Sequence, residues 1–229
     1  MVATEVFFDF GGTLVASVPY PTPVLLSVLR REGVEVDAAA WKAADDRVLP
    51  RLQPQLYASL GQRPSYWDRV HAEVLRELGI SDPAGTLQRT LHEAVTSPEL
   101  HRPYPDAVAV LDELDRSGTP FHLISNNTDY LLETLDRLGW ARRFRTVTYS
   151  QEAGAEKPDR RVFELALRRA GVAPSSALYV GDSWEADYLG ATRAGMAALW
   201  VDRTPPTPRS HPHRIDDLRA VLAYLGERR

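Results

Sequence analysis

The sequence predicts an α/β protein, a doubly wound parallel sheet interrupted after its first strand by an all-helical domain. Three observations lead there. A short apolar strand, Val6–Phe8, runs straight into Asp9 and the flexible pair Gly11 and Gly12. The pattern from Pro21 to about Leu100 is helical throughout, with no convincing strand. Beyond Pro103 and Pro105, strands alternate with helices of about ten residues, the signature of right-handed crossovers between parallel strands.

The elements follow in order. Helical periodicity covers Pro23–Gly33, Asp37–Leu52, Ser65–Gly79 and Pro83–Val95. The later alternation is helix Asp106–Arg116, strand Phe121–Ser125, helix Thr128–Leu138, strand Arg145–Tyr149 and helix Asp159–Ala170. Strand Ala177–Gly181, helix Glu185–Ala194, strand Ala197–Val201 and a closing helix from Asp216 complete it. Residues 1–15 and 101–229 are thus expected to form the sheet core, and 16–100 a helical cap over the carboxyl edge of the sheet. That edge is where open α/β sheets place ligands. The Pro-rich stretch Thr204–Pro212 reads as a surface loop, and His211 and His213 as solvated loop residues.

Composition narrows the function. The 229 residues, 44% of them hydrophobic, suffice to bury a core. A net charge of -4 argues against broad nucleic-acid binding, which needs a basic field. No cysteine is present, so disulfides, thiolate zinc sites and cysteine nucleophiles are excluded, and any metal must be held by oxygen or imidazole. No segment approaches the ~20 apolar residues of a membrane span and no basic leader precedes the first strand, so a cytoplasmic location is expected. Only two of the 27 basic residues are lysine, Lys42 and Lys157.

Four polar residues fall at or just beyond strand ends: Asp9, Ser125, Lys157 and Asp182. Singly, each has an ordinary reading: a carboxylate as a turn former, Ser125 as an N-cap, Lys157 as a surface charge before a proline, Asp187 as a first-turn helix residue. Their convergence, in order and on alternate βα units, favours a joint function. A control lies within the chain, because Asp82-Pro-Ala-Gly85-Thr86-Leu87 repeats the D-x-x-G-T-L string found at Asp9. It follows a helix, so Asp82 or Ser81 is expected to cap the next one.

Asp9-Phe-Gly-Gly-Thr13-Leu14, Ser125-Asn126, Lys157-Pro158 and Gly181-Asp182-Ser183-x-x-x-Asp187 match in order the four motifs of the haloacid dehalogenase superfamily, which the chain resembles over nearly its whole length. The resemblance implies a Rossmann-like core, a helical cap of the first type and a magnesium-dependent phosphatase of small phosphorylated metabolites. Asp9 would be the nucleophile that forms an aspartyl-phosphate. Ser125 and Lys157 would stabilise the transferring phosphoryl group, and Gly12, Thr13 and Asn126 would contact substrate. Mg2+ would be held by Asp9, the Gly11 carbonyl and Asp182, with Asp187 holding a metal-bound water or a ligand. The chain is expected to act as a monomer or homodimer, without nucleic-acid or membrane partners.

One departure bears on rate. Most phosphatases of the superfamily carry an aspartate two positions after the nucleophile as acid and base, and here that position is Gly11. Losing such a group typically costs about 10²–10⁴ in rate. The resemblance therefore leaves rivals: a metal-independent 2-haloacid dehalogenase, disfavoured by the acidic pair Asp182 and Asp187, and a phosphonate hydrolase, for which Lys42 is the only cap lysine. A catalytically impaired binding or regulatory module is the alternative of another class. Arg47, Arg51, Tyr57 and His71 are candidate selectivity residues that read equally well as surface or packing residues, and Trp184 is expected either to wall the pocket or to pack beneath the cap.

Overall fold

The computed structural model describes residues 5–16, 22–203 and 211–226. Six strands form one sheet: β1 (Glu5–Phe8), β2 (Phe121–Ser125), β3 (Val147–Tyr149), β4 (Ala177–Gly181), β5 (Ala197–Val201) and β6 (Arg214–Ile215). Their order is β3-β2-β1-β4-β5-β6, and every pair is parallel. Strands covered on both faces read as unbroken apolar runs. Accordingly Val6, Phe7 and Phe8 are all fully buried, as are Leu178, Tyr179 and Val180 in β4. The chain steps from β1 through β2 to β3, then crosses back to place β4 on the other side of β1. That reversal puts the residue after β1 beside the residue after β4, at the crevice where such sheets bind ligands.

Local details differ from the sequence expectation. β6 is an additional strand, two residues long and too short to give an alternation. The last helix begins at Ala220 rather than Asp216. Residues 184–189 form a π-helical turn that continues into the short α-helix Gly190–Arg193. Residues 204–210 of the Pro-rich stretch lie outside the described residues. His211 is half-buried and His213 exposed, and both rings lie against the aromatic side chain of Tyr188, whose hydroxyl is 3.1 Å from His213 Nδ1. Among the described residues no helix is long and apolar enough to cross a membrane.

The chain divides into two compact units, Met1–Ser17, His101–Asn127 and Leu138–Arg229 in one, Val18–Leu100 and Thr128–Arg137 in the other. The helical unit holds α1 (Thr22–Arg31), α2 (Ala38–Leu52), α3 (Tyr66–Glu77) and α4 (Thr86–Val95), with α1 against α4 and α2 against α3. Trp41, Val48, Val70, Val74 and Leu91 are fully buried in its core. Asp37 caps α2, and Ser65 and Asp68 form a reciprocal capping box at α3. The Asp82 carboxylate accepts from the Thr86 and Gln88 amides at the start of α4. The repeated D-x-x-G-T-L string is thus a helix-start device.

Residues 128–137, read from the sequence among the core helices, group instead with the helical unit. A polar network explains why. Besides accepting from the Ser65 amide, the Asp68 carboxylate accepts from the Tyr130 hydroxyl at 2.8 Å and meets His92 Nδ1 at 2.9 Å. His92 Nε2 lies 2.6 Å from Glu133, so one imidazole is clamped between two carboxylates. The bond to Asp68 outweighs burial and, with the bond to Glu133, holds the His92 pKa above its ordinary value, 6.5. Stability from this network is therefore fully present below the ordinary histidine pKa and is lost as pH rises through the raised folded value. His92→Gln should lower the melting temperature by about 2–4 °C near pH 6 and by progressively less toward pH 9. An equal loss at both pH values would show that the charged imidazole does not hold the segment.

Candidate active site

β1 delivers Asp9 to the sheet edge, where its amide donates to the Val180 carbonyl at 2.9 Å and so extends the β1–β4 ladder by one bond. The following loop turns back at once, Gly12 N donating to Val15 O at 2.8 Å. Gly12 adopts φ +80°, and a Cβ there would stand 2.2 Å from Asp182 Oδ2. A glycine is therefore obligatory where the two aspartate loops meet. Its amide is committed to the turn, so what this glycine gives the cluster is the space it leaves. Gly11 differs: its φ is not left-handed, and a Cβ there meets nothing within 4 Å.

The buried ammonium of Lys157 gathers the site. Nζ donates to Asp9 Oδ1 and Asp187 Oδ1, both at 2.6 Å, and lies 2.9 Å from the Tyr179 hydroxyl. Asp187 is almost fully committed, since Tyr179 donates to the same Oδ1 at 2.8 Å and the Ser183 amide to Oδ2 at 2.9 Å. Thr13 Oγ1 donates to Asp9 Oδ2 at 3.2 Å and lies 3.4 Å from Asp182 Oδ1. Asn126 reciprocates with the Lys157 backbone, its Oδ1 accepting from Lys157 N at 2.7 Å and its Nδ2 donating to Lys157 O at 3.1 Å. Its amide positions the lysine. Ser125 is buried at the carboxyl end of β2.

Electrostatics follow from this crowding. Burial, opposed by Lys157 and reinforced by Asp187 and Asp182, pushes Asp9 up to about 7. Asp182 is pushed up to about 6, first by burial and then by Asp187. Burial alone would lower Lys157, but Asp187 and Asp9 outweigh it and hold the ammonium above the ordinary lysine range. Asp9, Asp182 and Asp187 each bring one carboxylate oxygen within 4.8 Å of the others. Three carboxylates around one ammonium leave surplus negative charge on hard oxygens, a donor set suited to a divalent cation such as magnesium.

Three supporting residues escaped sequence reading. Tyr179 sits inside a strand that reads as plain core. Trp200 Nε1 donates to the Asp182 carbonyl at 2.8 Å. Arg203 donates to the Thr13 carbonyl at 2.7 Å and to both Asp106 oxygens at 3.1 Å, with its guanidinium 3.7 Å over the Tyr104 ring. For Tyr179 and Trp200 the available signal was a polar-tipped side chain in an apolar strand, which when buried usually finds a partner.

Other candidates have structural explanations. Trp184 stacks on Tyr188 with centroids 4.6 Å apart and meets Trp200 edge-on. Within the helical unit, Arg47 and Arg51 pair with Glu77, and Lys42 forms an exposed pair with Asp46. Tyr57 is surface-exposed, whereas His71 is fully buried and burial lowers its pKa to about 4, making it a neutral core residue.

A carboxyl whose folded pKa is raised disfavours its own ionisation, so the folded state loses stability as pH climbs from the ordinary carboxylate value toward about 6 and about 7 for these two groups. Without divalent ions, Asp182→Asn should raise the melting temperature near about pH 8 and change it less near about pH 4. Magnesium should raise the melting temperature of the parent protein near neutrality more than that of the variant. A variant destabilised at every pH, with an undiminished response to magnesium, would contradict the crowded-carboxylate picture.

Residues 6–195 match the family of haloacid dehalogenase-like hydrolases. The chain is 34% identical to a phosphoserine phosphatase of Thermus thermophilus, over 96% of this chain and 97% of that protein. It is also 34% identical to a glyceraldehyde 3-phosphate phosphatase of Methanothermobacter thermautotrophicus, over 96% and 98% respectively. Among solved structures, a 2-haloacid dehalogenase from Pseudomonas syringae superposes with a TM-score of 0.75 at 24% identity, covering 99% of both chains, a likeness of fold. The four motifs, the parallel sheet that assembles them and the family match make this chain a member of the haloacid dehalogenase-like hydrolases.

Proposed function

We propose that the protein is a magnesium-dependent phosphatase of small phosphorylated metabolites that works through an aspartyl-phosphate on Asp9. The observation that carries this reading is the convergence of Asp9, Lys157, Asp182 and Asp187 in one acidic cluster at the carboxyl ends of β1 and β4. The two relatives of nearly full length, both phosphatases by name, support the same reaction class. In the first half-reaction an Asp9 oxygen bonds to phosphorus as the ester P–O bond breaks, and the leaving alcohol takes up a proton. In the second, water attacks phosphorus, the Asp9–phosphorus bond breaks and inorganic phosphate leaves.

The residues divide these tasks. Lys157 fixes Asp9 Oδ1 and leaves Oδ2 as the attacking oxygen, which Thr13 orients. Ser125 supplies a hydroxyl to the phosphoryl oxygens, whose charge in the transition state calls for fixed donors. Asn126 holds Lys157 in register through its backbone. Asp9, Asp182, the Gly11 carbonyl and, directly or through water, Asp187 would hold magnesium, which when bound supplies the positive charge that lets a carboxylate approach a phosphate.

Asp9→Asn should abolish hydrolysis of an aryl phosphate while the protein stays folded. Full turnover in that variant, or hydrolysis of a 2-haloacid without metal, would overturn the proposal. Gly11 sets the rate within it. With ordinary φ and open space around a Cβ, position 11 accepts an aspartate. Gly11→Asp should raise alkyl phosphate turnover by up to about 10²-fold and aryl phosphate turnover by less, because a poor leaving group needs the proton most. A variant that folds and shows no preference for the alkyl ester would mean that the missing acid does not limit turnover.

A further inference from the structure

The hydroxyl of Tyr179 closes a ring of hydrogen bonds that the reaction does not itself require. Its ring is fully buried and packs edge-on against Phe163, centroids 5.4 Å apart, so hydrophobic packing alone would be served by phenylalanine. The hydroxyl nevertheless accepts from Lys157 Nζ at 2.9 Å and donates to Asp187 Oδ1 at 2.8 Å, the oxygen that Lys157 also holds at 2.6 Å. An ammonium has three protons. Here one goes to Asp9, one to Asp187 and the third to Tyr179, with the Ile124 carbonyl a longer alternative at 3.2 Å. Rotation of the ammonium away from Asp9 would break bonds to both other partners.

We propose that Tyr179 is a positioning residue for catalysis: its hydroxyl locks the Lys157 ammonium between Asp9 and Asp187, so that Asp9 presents one fixed oxygen to substrate. The proposal rests on the reading of Asp9 as the nucleophile only for its consequence for rate. The lock itself is a property of the resting protein. Tyr179→Phe deletes one oxygen and keeps the ring, so its effect belongs to the hydroxyl. A hydrogen bond to a charged group is worth roughly tenfold or more in an equilibrium or a rate.

The chain's two lysines make the test direct. Lys42 is exposed and Lys157 is buried, so lysine-selective nitrogen NMR of the side-chain ammonium groups yields one signal from each. In the Tyr179→Phe protein the Lys157 signal should shift and its protons exchange faster with water, while Lys42 stays unchanged. On an aryl phosphate, kcat should fall about tenfold with KM within about twofold, since the loss falls on alignment of the nucleophile. The packing control Phe163→Leu should lower the melting temperature without reproducing the Lys157 shift. If Tyr179→Phe does not fold, a nuclear Overhauser contact between the Lys157 ammonium and the Tyr179 ring in the unsubstituted protein takes its place, and its absence overturns the proposal. An unmoved Lys157 signal overturns the lock. A shifted signal with unchanged kcat overturns its role in catalysis. Absence of phosphatase activity in the unsubstituted protein would count against the proposed function, while the Lys157 signal still decides the lock.

Discussion

The structure of the sheet unit depends on one buried cation. Lys157 sits between Asp9 and Asp187, and Asp182 completes a group of three acids, of which burial makes Asp9 and Asp182 costly to ionise. Removing the ammonium would leave carboxylates facing one another with little solvent, an arrangement that folded proteins avoid by protonation or by binding cations. Much of the surrounding chain holds this arrangement. Asn126 clasps the Lys157 backbone, the Ser183 amide pins Asp187, and Trp200 tethers the Asp182 carbonyl.

Glycines let the acids approach so closely. At Gly12 a side chain would collide with Asp182, and at Gly181 it would stand 2.4 Å from the Asp187 carboxyl carbon. Both are places where backbone must lie against a charged side chain, and the lack of a Cβ is what the site uses. Gly11 is a different kind of glycine, with nothing within 4 Å of where a Cβ would stand.

Much of this was legible in the sequence because position after a strand is a local property. Asp9, Ser125 and Asp182 announce themselves by ending apolar runs, and Lys157 by its place in a chain nearly free of lysine. The parallel sheet follows from the alternation of strands and helices, whereas the strand order that sets Asp9 beside Asp182 does not. Contacts made across the sheet were not legible. Tyr179 faces Lys157 from within a strand whose pattern records only burial, and Arg203 reaches back 190 positions to the Thr13 carbonyl. Residues 128–137 carry an ordinary amphipathic helix, and their grouping with the helical unit depends on Asp68 and His92, whose proximity no periodicity encodes. β6, at two residues, is set by pairing with β5 rather than by its own composition.

The separation of the site residues along the chain bears on how the protein comes into being. Asp9 is synthesised well before its hydrogen-bonded partner Lys157, which lies 148 positions later, and Asp182 follows later still. Parallel pairing of β1 with β4, Glu5 opposite Ala177, spans a still longer distance, and contacts of such range form slowly because a long loop must close first. Until β4 has been made, the strand that carries Asp9 lacks a neighbour on that side and offers its apolar residues and free edge to other chains. The Asp9 carboxylate therefore has no companion acids until β4 and the turn that follows it have joined the sheet.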